Sequence, residues 1–245
     1  MTLPYERIAI ALDVGEDWAD PWDARRPERG TRAAVVVSAL RNYVSRKSLL
    51  SPRTRWALVA LDDGAEPLLS PGSGGGAGLI VAALESLAAA PPRRGGSAQA
   101  PFPLAALAET LAGDAVFGSR PPGAVDRCVL VFSRSRAAPE PPAVRALFDD
   151  PGFFLDALYV HAKASEANKV QEVYDALTAL APRSRPLAFF FFETTSSAPR
   201  LHQHLAVLLA HPQLRDDQEA VAAKLSRPLC DDGDDRSEVV MSAAC

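Results

Sequence analysis

Apolar runs of strand length alternate with helical patterns along most of the chain. Five near-continuous apolar runs predict strands buried on both faces, at residues 6–13, 55–61, 127–133, 153–161 and 187–192. Apolar residues at helical spacing predict helices at residues 32–50, 79–89, 102–111, 169–180 and 199–210, with a short one inside residues 139–148. Asp62-Asp63-Gly64 predicts a tight turn into an antiparallel edge strand at residues 66–69. The alternation predicts one doubly wound, mostly parallel α/β domain of Rossmann type.

This domain is expected to cover residues 1–225. Residues 91–100 are rich in Pro, Gly and Ser, which predicts a mobile loop within the domain. Residues 226–245 contain the acidic run Asp231-Asp232-Gly233-Asp234-Asp235 and few residues to bury, which predicts a disordered tail.

The composition argues against several classes of partner. A net charge of -4 gives no basic face for nucleic acid. No apolar run approaches the roughly 18 residues that span a bilayer, so no membrane contact is expected. The three cysteines (Cys128, Cys230 and Cys245) have no metal-ligand spacing, and no secretory signal is visible. We therefore expect a soluble protein of a reducing, intracellular compartment.

The first strand ends in a carboxylate, at the edge where sheets of this kind bind ligands. The metal-ion-dependent adhesion site of von Willebrand factor A (vWA) domains would need Asp-x-Ser-x-Ser here, whereas this chain has Asp13, Gly15 and Asp17. Arg134 and Arg136 follow the predicted strand at residues 127–133, at the same edge of the sheet, and guanidinium groups beside a cation site oppose cation binding. We predict a degenerate site without metal, in which Asp13 or Asp17 pairs with an arginine.

The sequence contains no recognisable catalytic or cofactor-binding constellation. Glycine-rich residues 72–76 lack the Lys and Ser or Thr that end a phosphate-binding loop. His202 and His204 lie two apart on a predicted helix, so they face different directions and cannot chelate one ion. His161 has no Cys or Ser partner at a recognisable spacing. We therefore predict no catalytic residue and no cofactor.

The best candidate for a binding surface lies at the end of the last clear helix. The leucines of this helix form an apolar stripe for which a core role is expected. His211-Pro212 follows and predicts an extended exit, in which Leu214 is an anchor and Arg215 a charged contact. The alternative is that Leu214 folds back on the domain. The predicted partner contacts are Leu205, Leu208, Leu209, His211, Pro212, Leu214 and Arg215.

Several blocks of sequence resemble one family. The most specific are Phe153-Phe154-x-Asp156-x-x-Tyr159-x-His161 and Leu208-Leu209-Ala210-His211-Pro212. Weaker blocks lie at residues 6–13, 56–59, 127–134 and 170–177. Together, in order along the chain, they resemble the vWA-like scaffold subunit shared by the BRISC and BRCA-A deubiquitinase complexes.

The resemblance implies a fold and a role. It implies a non-catalytic vWA-like domain that binds a subunit built from ubiquitin-conjugating-enzyme-variant (UEV) domains. Through that subunit, the family stabilises a complex whose JAMM-type zinc deubiquitinase, with its MPN-type pseudoenzyme partner, cleaves lysine-sixty-three-linked ubiquitin chains. It also implies work in the cytoplasm and the nucleus, in ubiquitin editing and the DNA-damage response.

Two other classes remain open. The chain is alternatively a vWA subunit of other machinery, such as the proteasome's ubiquitin receptor or the repair and transcription factor H. The ubiquitin-interacting helix of the first and the cysteine-rich zinc module of the second are not visible in the sequence. A nucleotide-using α/β enzyme is disfavoured because the glycine fingerprints are missing.

Overall fold

The computed structural model describes residues 3–72, 76–90, 101–142, 145–182 and 185–225. Within these residues the strands β1 to β6 span Tyr5–Asp13, Arg55–Leu61, Ala65–Leu69, Ala124–Phe132, Phe153–Val160 and Phe189–Thr194. The helices α1 to α7 span Arg32–Leu50, Ala77–Ala89, Leu104–Ala112, Ala146–Asp149, Val170–Thr178, Ala198–Val207 and Gln218–Leu225. None of these helices is long and apolar enough to cross a bilayer.

The strands form one sheet in the order β3-β2-β1-β4-β5-β6. All neighbours are parallel except β2 and β3, which pair antiparallel after the predicted turn. The predicted α/β fold class is thereby confirmed, including the antiparallel edge strand. The strand order reverses between β1 and β4, and in sheets of this type such a reversal places a crevice at the carboxyl ends of the strands.

Both faces of the sheet are buried because successive side chains in a strand point to opposite sides. In β1, Ile8, Ile10 and Leu12 pack into the layer of α1, α2 and α6. Ala9 and Ala11 face the layer that contains α3, α4 and α5. All five side chains are fully buried. A single strand thus contributes to both cores, which explains why its sequence is almost continuously apolar.

The four consecutive phenylalanines of β6 divide between the same two layers. Phe190 and Phe192 pack on the α1 and α6 side, and Phe189 and Phe191 pack on the other side. This agrees with the prediction of a strand buried on both faces at residues 187–192. The start of α1 is also as predicted, because the Thr31 hydroxyl accepts a hydrogen bond from the backbone N of Ala34 at 3.2 Å and caps the helix.

A chain of buried charges crosses the amino-terminal end of the sheet on the α1 side, and we call it the basal ion network. Arg127 donates from Nε to Asp156 at 2.7 Å and from Nη1 to Glu6 at 3.0 Å. Lys47 from α1 pairs with Glu6, and Arg215 forms two bonds of 2.6 Å with the two carboxylate oxygens of Asp156. All five side chains are buried.

The arginines of this network keep Asp156 ionised. Burial alone would raise the pKa of Asp156, but the neighbouring Arg215 and Arg127 more than offset burial and hold the pKa below its usual range. The carboxylate therefore neutralises two guanidinium groups that would otherwise face each other inside the domain.

The structure corrects the expectation for the chain that follows residue 215. The polar chain after residue 215 contains a helix, α7, that the sequence pattern did not predict. The Gln218 side chain accepts from the backbone N of Phe191 at 2.7 Å and donates to its carbonyl at 2.5 Å, so it covers part of the β6 edge. The predicted loop at 91–100 and tail at 226–245 fall outside the described residues, as do residues 73–75.

We expect Asp156→Asn to lower the free energy of unfolding by about 3–5 kcal/mol, because it leaves Arg127 and Arg215 buried without their shared countercharge. Urea denaturation followed by tryptophan fluorescence measures the loss. Asp150→Asn is the matched control, since Asp150 pairs with Arg120 at the surface and its loss should cost less than about 1 kcal/mol. Equal losses in the two variants would contradict a special role for the basal ion network.

Candidate functional site

The predicted metal-site frame lies at the carboxyl end of β1, in the middle of the sheet. The chain that leaves β4 brings Ser133, Arg134 and Ser135 to this edge. Asp13 is the last residue of β1, and Asp17 lies in a short 3-10 turn, Glu16–Ala19, that follows. The structure therefore brings together the residues that the sequence placed at one end of the sheet.

The carboxylate of Asp13 accepts five hydrogen bonds from the surrounding loops. Oδ2 accepts from the backbone N of Ser133 at 3.0 Å, from the Ser133 hydroxyl at 3.3 Å and from the backbone N of Arg134 at 2.9 Å. Oδ1 accepts from the backbone N of Gly15 at 3.2 Å and from Arg134 Nε at 2.8 Å. A carboxylate offers about four lone-pair sites, so its accepting capacity is already used.

Arg134 occupies the centre of this edge and is held from three sides. Its Nη2 donates to the carbonyl of Leu61 at 3.2 Å and to the carbonyl of Asp62, and its guanidinium lies 5.2 Å from the ring centre of Phe102. A Cβ atom added at Gly15 would lie 3.0 Å from Arg134 Nε. The missing side chain at position 15 thus provides the space that the guanidinium fills.

Asp17 is surrounded by weaker positive partners. Its Oδ2 accepts from the Ser135 hydroxyl at 3.4 Å and lies 3.8 Å from Arg32 Nη1, and its Oδ1 lies 3.9 Å from Arg136 Nε. Burial raises the pKa of Asp17, and the charge of Arg32 opposes that rise. The prediction that Asp13 or Asp17 pairs with an arginine is confirmed for both residues.

This arrangement supplies its own positive charge. In the described part of the chain, no group of three or more His, Cys, Asp or Glu side chains is placed to hold a metal ion. The guanidinium of Arg134 provides instead the charge that balances Asp13. That the site takes no cation in solution stays a prediction.

We expect calorimetric titration with Mg²⁺ or Mn²⁺ to detect no site at the Asp13 edge, because a bound cation would have to displace Arg134 from a saturated carboxylate. A micromolar site that is abolished by Asp13→Ala would contradict this expectation.

Arg134→Ala should destabilise the domain by about 2–3 kcal/mol, since it leaves Asp13 without its charge partner. The control, Arg136→Ala, removes a half-exposed arginine and should cost less than about 1 kcal/mol.

The histidines have packing roles. His204 is buried and stacks on Phe192 with ring centres 4.6 Å apart, whereas His202 is partly exposed, so the prediction that the two face different directions is confirmed. His161 stacks on Tyr159, and its Nε2 lies 3.2 Å from a carboxylate oxygen of Glu193.

We expect the stability of the domain to fall as the pH is lowered from about 6.5 towards 4. Burial, aided by Arg200, lowers the pKa of His204 from 6.5 to about 4, so in this window the unfolded chain binds more protons than the folded one. His204→Phe keeps the ring stack and removes the titration. The difference in unfolding free energy between variant and wild type should change by about 2 kcal/mol across the window. A constant difference would contradict the assignment.

The predicted partner segment is attached to the base of the domain. Leu205 and Leu208 are buried, and Leu209 is half-buried, which agrees with the core role expected for these leucines. Lys47 Nζ donates to the carbonyl of Leu209 at 3.0 Å, and the His211 Nε2 lies 3.0 Å from the carbonyl of Pro4. The chain after α6 is therefore tied to the basal ion network through Lys47 and to the start of the domain through Pro4.

The prediction of an extended chain after α6 is correct for His211 and wrong for the residues that follow it. His211 itself has extended backbone angles, as a residue before proline should. Pro212–Leu214 then forms a 3-10 turn, and the His211 ring accepts a hydrogen bond from the backbone N of Gln213 at 3.2 Å. Proline is well suited to the first position of such a turn because it needs no backbone donor there.

The two residues predicted as anchor and charged contact have opposite environments. Leu214 is 64% exposed, so it does not fold back on the domain. Arg215 is only 8% exposed; it pairs with Asp156 and lies 4.5 Å over the Phe190 ring. The expectation that Arg215 reaches outwards as a charged contact is therefore corrected, because its charge is used within the domain.

Sequence reasoning missed the basal ion network. Glu6 and Arg127 open two predicted strands and Asp156 interrupts a third, and charged residues are rarely fully buried unless they are paired. Charges of alternating sign in these three predicted strands were the available signal. The partners Lys47 and Arg215 lie on a helix and a turn, where such residues ordinarily face water.

Comparisons with known proteins agree with the fold and with the sequence blocks. A curated protein of Bos taurus named "BRISC and BRCA1-A complex member 1" is 29% identical over 124 residues, which are 49% of this chain and 36% of that protein. The protein of that name from Mus musculus is 30% identical over 103 residues, 40% of this chain and 31% of that protein. No family model matches the sequence.

Solved structures show the same architecture. Proximal thread matrix protein 1 from the mussel byssus superposes with a TM-score of 0.58 at 12% identity, covering 84% of this chain and 47% of that chain. A von Willebrand factor type A protein from Catenulispora acidiphila gives 0.53 at 15% identity, covering 86% of this chain and 43% of that chain. The chain has a vWA fold. Its curated homologues are named as BRISC and BRCA1-A complex members, so the resemblance found in the sequence is confirmed.

The limited extent of the match restricts which properties of the relatives can be assigned to this chain. The matched segments span about a third of the length of the curated relatives. The vWA domain and its homology to these complex members are therefore findings, whereas the partners and the activity of the whole assembly belong to the proposal that follows.

Proposed function

We propose that this chain is a non-catalytic scaffold subunit of a BRISC-type deubiquitinase assembly. The observation that carries the proposal is the closed edge at Asp13, where Arg134 takes the charge-balancing role and leaves the carboxylate saturated. A carboxylate whose accepting positions are used in this way supports a role that does not depend on a bound cation. The names of the homologues, which are complex members, support a role in an assembly.

The proposal includes the partners implied by the resemblance. The direct partner is the UEV-domain subunit. Through it the chain supports a JAMM-type zinc deubiquitinase and the MPN-type pseudoenzyme that accompanies it, with lysine-sixty-three-linked ubiquitin chains as the substrate of the assembly. Ubiquitin editing and the DNA-damage response, in the cytoplasm and the nucleus, are the processes in which this assembly would act.

Within the predicted segment, we assign the contact with the UEV subunit to Leu214. Leu214 projects from a turn that is fixed on both sides, by the His211 and Pro4 contact before it and by the Arg215 and Asp156 pair after it. A rigid turn loses little conformational entropy on binding, so an exposed leucine held in this way is a favourable anchor. Leu205, Leu208 and Pro212 are buried and Leu209 is half-buried, so within this segment we assign the contact to Leu214, while Arg215 holds the end of the turn to Asp156.

We expect Leu214→Ala to weaken co-purification with the UEV-type subunit about tenfold while leaving the melting temperature of the free chain nearly unchanged. Its side chain is exposed, so truncation removes a contact surface and no core packing. Leu79→Ala is the matched control, because Leu79 is 53% exposed on α2 and should affect neither property.

Arg215→Ala distinguishes the structural role of this segment from its proposed role in binding. It should lower the melting temperature by several degrees because Asp156 loses its bidentate partner. If Leu214→Ala leaves binding intact in a folded protein, the turn is not the contact. If the UEV-type subunit does not co-purify with the wild-type chain at all, the proposed function itself fails.

A further inference from the structure

Helix α1 ends in two leucines that the domain does not cover. Leu49 is 82% exposed and Leu50 is 66% exposed, although other large apolar residues of the helix, such as Leu40 and Val44, are fully buried. These leucines lie in the last turn of the helix, at the base of the domain. Two adjacent apolar side chains in this position are a common feature of a protein contact surface.

A cavity of about 220 Å³ opens beside Leu50. For comparison, a cavity of roughly 150 Å³ can hold a benzene molecule, so this one has room for a large aliphatic or aromatic side chain. Its apolar wall includes Leu3, Pro4 and Pro52 as well as Leu50. His211, from the turn that precedes Leu214, closes one side.

Arginines flank these leucines along the chain. Arg46, Arg53 and Arg55 are exposed, and within the described residues none of them pairs with an acidic side chain. By contrast, Arg41, one turn earlier on α1, has Glu85 at 3.5 Å. Arg46 also lines a second cavity, of about 190 Å³, between α1 and α6. The chain as a whole carries a net charge of -4, so this basic corner is a local feature.

We propose that Arg46, Leu49, Leu50, Arg53 and Arg55 form a docking surface for an acidic peptide segment of a partner protein. An apolar side chain of the peptide fills the cavity beside Leu50, and its neighbouring carboxylates pair with the arginines. The exposed leucines favour such a peptide over nucleic acid, which would use the arginines alone. The inference does not use Leu214: His211 borders both surfaces, but the residues proposed here and their chemistry are different.

Fluorescence anisotropy of a labelled synthetic peptide, in which leucines alternate with glutamates, tests the proposal on the full chain. We expect binding that weakens at least about tenfold in the double variant Arg46→Glu with Arg53→Glu. Leu50→Ser should weaken it as well. The matched control is Arg25→Glu with Arg26→Glu, which makes the same charge change in the exposed loop between β1 and α1 and should leave binding unchanged. Unchanged circular dichroism and melting temperatures show that the variants are folded.

Several outcomes would overturn the proposal. Equal weakening by the two double variants would show that only overall charge matters. A peptide with serine in place of leucine, or a single-stranded oligonucleotide, should bind more weakly. Equal binding of either would show that an apolar side chain in the cavity does not contribute to binding. If peptide binding appears only when the four aspartates of residues 231–235 are changed to asparagine, the acidic run of this chain is the occupant and no partner is needed.

Discussion

The base of this domain depends on one buried carboxylate. Asp156 neutralises both Arg127, from the neighbouring strand, and Arg215, from the turn after α6. Buried ion pairs seldom add much stability compared with apolar residues of the same size, but breaking one is costly because an unpaired charge remains inside. The network therefore acts as a geometric constraint: the chain after α6 has to return to the sheet. This return fixes the turn that carries Leu214 and places His211 against Pro4.

The two ends of the sheet use charge in different ways. At the carboxyl end, Arg134 and Asp13 satisfy each other, so nothing there requires an external ion or ligand. At the amino-terminal end the buried charges are paired, while exposed leucines and arginines stand at the rim. The usual ligand edge of a doubly wound sheet is thus occupied by Arg134, and the surfaces that we propose for association lie at the opposite end. The proposed scaffold function rests on this arrangement more than on the fold itself, which many unrelated functions share.

The sequence predicted those parts of the structure that depend on periodicity. The strands, the helices that cover them and the division of the four phenylalanines follow from apolar spacing, and the Asp13 pairing follows from missing hydroxyls and nearby arginines. The burial of Arg215 did not follow, because its partner Asp156 is 59 residues away and polar spacing alone suggests a solvated turn. Helix α7 was missed for a similar reason. Gln218 is polar, yet its amide forms hydrogen bonds with the backbone of Phe191 at the edge of the sheet. The exposure of Leu49 and Leu50 depends on how far α1 extends beyond the sheet, and no local sequence pattern predicts that length.

The fit between Gly15 and Arg134 limits how this edge can be changed. A serine at position 15 would bring a side chain against the guanidinium, because its Cβ would lie 3.0 Å from Arg134 Nε. Removing Arg134 first would leave Asp13, which is fully buried, without its countercharge. Either change alone therefore disturbs this edge before a cation could compensate, so an attempt to build a metal site here has to change both positions together.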